Sequence, residues 1–81
     1  MFKNKSENGR NNICGENIAK LRKQNIPKLS QRALADKLQL IGLDLDKNAI
    51  QRIESGDRFI TDIELKAFAQ IFGIEIKDLY N

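Results

Sequence analysis

The sequence predicts an all-α fold of five short helices, on three observations. One start signal occurs three times: an apolar residue, then a capping side chain, then a second apolar residue five positions after the first. No segment alternates apolar and polar side chains with period 2 for long enough to form a strand. The chain of 81 residues, 41% of them apolar, makes one small domain at most.

Taken in order, residues 1–11 are polar and net basic, and are expected to be a disordered basic tail ahead of a domain over residues 12–81. Asn12 is a candidate cap for the first helix, with Ile13, Ile18 and Leu21 near helical spacing up to Gln24. Pro27 then breaks the pattern, because it disfavours helical backbone in the residue before it. Ser30 caps the second helix, stapled by Leu29 and Leu34, which is expected to reach Leu40 and stop at Gly42. Asp46 caps the third over residues 47–54, stapled by Leu45 and Ile50 and ended by Ser55-Gly56. The fourth opens on a capping box, Thr61 with Glu64, and an Ile60/Leu65 staple. It carries Leu65, Phe68, Ala69 and Phe72 on one face and stops at Gly73. A short fifth helix is expected over Ile76–Tyr80.

Composition excludes several chemistries. Histidine is absent and Cys14 is the single cysteine, so neither Ser-His-Asp nor Cys-His catalysis is available, and no internal disulfide. No enzyme activity, cofactor or metal is expected. Asp44, Asp46 and Asn48 mimic the opening of a calcium loop. Ala49 stands where that loop needs glycine, however, and Ser55 where it needs a bidentate glutamate. Cys14 reads as a small buried hydrophobe rather than a redox sensor. No apolar run approaches the roughly 20 residues of a membrane span, and no apolar stretch follows Lys3 and Lys5 as a signal peptide requires. A cytoplasmic location is therefore expected.

Net charge is only +3, but it is unevenly spread. Residues 1–58 hold twelve Lys/Arg against seven Asp/Glu, whereas residues 59–81 hold two against four. That asymmetry suits a molecule with one face toward an anion.

Two short helices joined by a turn, the second polar on its outer side, suggest a helix-turn-helix. Ile50 and Ile53 lie three apart and would be buried, leaving Lys47, Asn48, Gln51 and Arg52 outside. Lysine and arginine bond guanine O6/N7, and asparagine and glutamine bond adenine N6/N7, so all four are competent to read bases in a major groove.

Three stretches carry a family resemblance: Leu29-Ser30-Gln31 with Leu34-Ala35 and Leu38, Ile50-Gln51-Arg52-Ile53-Glu54-Ser55-Gly56, and Leu65 with Phe68-Ala69 and Phe72-Gly73-Ile74. Together they resemble the Cro/C1-repressor (XRE-like) helix-turn-helix family of bacterial and phage DNA-binding regulators, over about residues 13–80. The resemblance implies a compact five-helix lambda-repressor-like domain that reads double-stranded DNA. It implies base reading by Lys47, Asn48 and Arg52, with Gln51 nearby. It further implies phosphate binding by Gln31 and Arg58, and a partly buried structural salt bridge between Arg22 and Glu54. A homodimer on a near-palindromic operator is expected, and the apolar end (Phe72, Ile74, Ile76, Leu79, Tyr80) reads either as its interface or as the residues that close the core. The alternative is an antitoxin or other protein-interaction module that uses the same fold to bind an unidentified protein partner. One departure stands out. Leu38 and Ile50 are separated by about five more residues than the family pattern has, predicting an extended turn around residues 39–45.

Overall fold

Serine, aspartate and threonine side chains start three of the four α-helices, each accepting a hydrogen bond from the backbone N–H three residues on. The computed structural model describes residues 9–80. The helices are α1 (Gly15–Gln24), α2 (Gln31–Leu40), α3 (Lys47–Ser55) and α4 (Asp62–Phe72). The expected fifth helix is instead a single 3₁₀ turn over Ile76–Leu79. Four residues between Glu75 and Tyr80 are too few to propagate an α-helix past its costly first turn, so the described residues hold four α-helices and a turn.

Each capping geometry has a distinct chemistry. Ser30 Oγ accepts from Ala33 N at 3.0 Å, and Asp46 Oδ1 accepts from Ala49 N at 2.8 Å. Thr61 and Glu64 bond reciprocally as a full capping box. Helix α1 begins two residues later than the sequence pattern suggests. Asn12 Oδ1 accepts from Gly15 N at 2.7 Å, but residues 13 and 14 are not helical. Ile13 is consequently 61% exposed rather than part of the core.

The core takes a fully buried side chain from every element. Ile18 comes from α1, Leu34 and Leu38 from α2, Ile50 and Ile53 from α3, Phe68 from α4 and Leu79 from the 3₁₀ turn. Helix α3 packs on both α1 and α2, and α4 closes against α1, α2 and the 3₁₀ turn. Cys14 joins this core, and burial pushes its thiol pKa up, which makes it an inert hydrophobe rather than a reactive thiol.

The extended α2–α3 connection spans residues 41–46. It opens on Gly42, whose φ of +93° ends α2, while Gly42 N and Leu43 N donate to the Gln39 and Leu38 carbonyls. Leu45 is buried beside the core and Leu43 half-buried, so the insertion is a tucked loop, whereas Leu40 remains 86% exposed.

Candidate nucleic-acid interface

Helix α3 is two-faced. Ala49, Ile50 and Ile53 are buried, and Lys47, Asn48, Gln51 and Arg52 are exposed on the opposite side. Among the described residues no hydrogen bond or ion pair ties down any of those four side chains, so they remain available to an external partner. Asn48, Gln51 and Arg52 line one shallow groove with Ser55 and Asp57. Lys47 and Asn48 also border the groove between α2 and α3, where Arg32 and three carboxylates, Asp36, Asp44 and Asp46, meet them.

Behind this face lies a polar anchor. Arg22 of α1 donates from Nε to Glu54 Oε2 at 2.7 Å and from Nη2 to Glu54 Oε1 at 2.9 Å. Both side chains are about nine-tenths buried, at 11% and 9% exposure. Arg22 also donates to the Leu29 carbonyl at 2.9 Å, and the Glu54 bond pushes its pKa up further. Gln31, at the first position of α2, donates from Nε2 to Glu54 Oε1 at 3.0 Å. One of the two Gln31 amide N–H groups is thus committed inside the molecule, tying α2 to α1 and α3, while the second N–H and the carbonyl oxygen are left for an outside group.

A phosphate role for Arg58 meets a competing structural partner. Its Nη1 and Nη2 donate to Glu64 Oε1 and Oε2 at 2.8 and 2.9 Å, and Nη1 also reaches the Phe59 carbonyl. The Arg58 guanidinium is thereby a latch between the α3–α4 loop and α4. It holds the Glu64 carboxyl below the usual carboxylate range, against burial, which raises it, and with help from the Thr61 N–H. Sequence reasoning missed this pair, though it had a signal: a capping-box glutamate has one oxygen to spare for a cation on the loop before it.

The apolar C-terminal end divides in two. Leu79 is fully buried, Phe72 and Ile74 pack half-buried on the core, and only Ile76 and Tyr80 are exposed. Most of the expected dimer surface therefore closes the fold. Tyr80 instead lines a groove of about 220 Å³ with the exposed Ile13 and Phe59.

The architecture matches known sequences over most of its length: a helix-turn-helix family model covers residues 18–79. The chain belongs to the Cro/C1-type (XRE) helix-turn-helix family. No curated protein and no solved structure matches it. The helix-turn-helix family is one of DNA-binding regulators. In this helix-turn-helix protein α2 and α3 both lie within the matched residues. Among the described residues no helix is long and apolar enough to cross a membrane.

Proposed function

We propose that the protein is a sequence-specific regulator of transcription, a repressor acting on double-stranded DNA in the cytoplasm of a bacterium or its phage. Helix α3 enters the major groove. The observation that carries this reading is the outer face of α3, where Lys47, Asn48, Gln51 and Arg52 are exposed and, among the described residues, unpartnered, on a helix whose other face is fixed in the core. Those side-chain types bond base edges, whereas the backbone N–H groups at the start of α2, beside exposed Arg32, suit phosphate. The work is recognition and needs no catalytic group.

One short reading helix covers few base pairs, so a homodimer on a two-fold site completes the reading. The groove lined by Ile13, Phe59 and Tyr80 supports it as an apolar contact beside the α3–α4 loop. The same groove favours the second reading, a module that binds another protein. Titrating labelled duplex with the wild-type protein and with Lys47→Ala and Arg52→Ala separates the two. The DNA reading expects each variant to lose affinity. Wild-type binding that no α3 variant alters would overturn it.

A further inference from the structure

The end of α3 is closed by three residues from outside the helix-turn-helix pair. Six consecutive backbone carbonyls, Ile53 to Arg58, each accept a hydrogen bond from the segment Arg10–Asn12. Arg10 Nη2 donates to the Glu54 carbonyl at 2.6 Å and Nη1 to that of Ser55 at 3.2 Å. The Asn11 backbone N–H donates to Gly56 O at 2.8 Å, and its side chain to Asp57 O at 3.0 Å. Asn12 Nδ2 bridges Ile53 O and Arg58 O at 2.9 and 2.7 Å.

This segment was expected to belong largely to the disordered tail. Arg10 and Asn11 are instead held on the protein, and residues 1–8 of that expected tail lie outside the described residues.

Two glycines make the close approach possible. A Cβ at Gly15 would collide with the Ile53 carbonyl and come within 2.8 Å of both Arg10 Nη2 and Asn12 Oδ1. A Cβ at Gly56, already at φ +88°, would fall 2.8–2.9 Å from the Arg10 side chain. The guanidinium also sits where the α3 dipole places roughly half a negative charge, and its Nη1 lies 3.6 Å from Glu16 Oε1.

We propose that Arg10, Asn11 and Asn12 are positioning residues for base reading: they fix the axis of α3 by gripping its C-terminal end and the loop that follows. The proposal rests on the DNA reading above. The entry of α3 is held by the buried Leu45 and the Asp46 cap at the end of the connection over 41–46. The second anchor is at the exit, on a helix of only nine residues. A helix free to tilt loses its bidentate base contacts first, while phosphate contacts by long side chains survive.

The test compares a selected cognate duplex with a scrambled one, for wild type, Arg10→Gln, Arg10→Lys and Asn11→Ala. Circular dichroism and thermal unfolding verify the fold of each. Positioning predicts that Arg10→Gln lowers the cognate-to-scrambled affinity ratio about tenfold, the scale of one lost base contact, while affinity for the scrambled duplex moves less than about threefold. Arg10→Lys keeps the charge but not the two-carbonyl fork, so it should not restore the ratio. Asn11→Ala loses one bond, to Asp57, and should lower the ratio about two- to threefold, which keeps the test open if Arg10 variants unfold. A ratio unchanged in Arg10→Gln and Asn11→Ala overturns the proposal. Equal losses on both duplexes with full rescue by lysine also overturn it, and would make Arg10 a phosphate contact. Failure of the DNA reading itself looks different, because wild type would then not discriminate between duplexes at all.

Discussion

Arg22 and Glu54 join α1 to α3 through two parallel hydrogen bonds, at 2.7 and 2.9 Å, on side chains shielded from solvent. Glu54 holds one end of the pair and accepts from Gln31 as well. The ion pair therefore locks α1, α2 and α3 together from behind the exposed face of α3. Removing one partner strands a buried charge. Glu54→Gln should cost about 3–5 kcal/mol of unfolding free energy in urea. The double variant Arg22→Met, Glu54→Leu should recover most of that loss, because a well-packed apolar pair has no desolvation to offset. A Glu54→Gln protein as stable as wild type would contradict this role.

The Arg58–Glu64 pair sets a pH dependence. The folded Glu64 pKa is depressed, chiefly by the Arg58 hydrogen bond, so the unfolded chain binds its proton first as pH falls. The stabilisation is complete above the ordinary glutamate value near 4.5. It is lost as pH drops through the lower folded value. Urea unfolding of wild type and Glu64→Gln from pH 7 to pH 3 should therefore show a shallower acid-side decline in the variant. Parallel declines would refute the linkage.

Because Glu64 already compensates its charge, Arg58 should contribute little to phosphate neutralisation. Arg58→Ala should change the slope of log affinity against log salt by well under the ~1 unit expected of a free phosphate contact, while lowering thermal stability. A full unit lost from the slope would restore Arg58 to the DNA surface.

Asp36, Asp44 and Asp46 share a groove with Lys47 and Asn48, and Asp46 is needed as a cap. Neutralising Asp44 leaves the cap intact. Asp44→Asn should raise affinity for every duplex alike, by a few-fold at low salt and less as salt screens the charge. No gain at low salt would place that groove away from the nucleic acid.

The helix starts were legible because capping is local chemistry. Ser30, Asp46 and Thr61 lie three residues from the N–H groups they accept, so the spacing is written in the chain. The two-faced character of α3 was legible for the same reason, as Ile50 and Ile53 fix which side is buried. Contacts across 40 or more positions were not. Nothing near Arg10 or Asn12 in sequence shows that their donors meet the carbonyls of Glu54 and Ile53. Gln31 shows a subtler limit. Its place at the start of α2 was readable, but whether its amide faces outward or toward Glu54 depends on where α3 lies. The start of α1 is hidden because Ile13 fits a helical period, although Asn12 bonds Gly15 N and the helix begins only there.

The most direct test of the central claim is selection of bound sequences from a random duplex pool, run in parallel for wild type and Arg52→Ala. If α3 reads bases, wild type enriches a defined motif, palindromic if the protein binds as a dimer. Arg52→Ala then relaxes preference at one position per half-site at a cost of about 1–3 kcal/mol. No enrichment by wild type, or an identical motif from the variant, would contradict base reading by this helix.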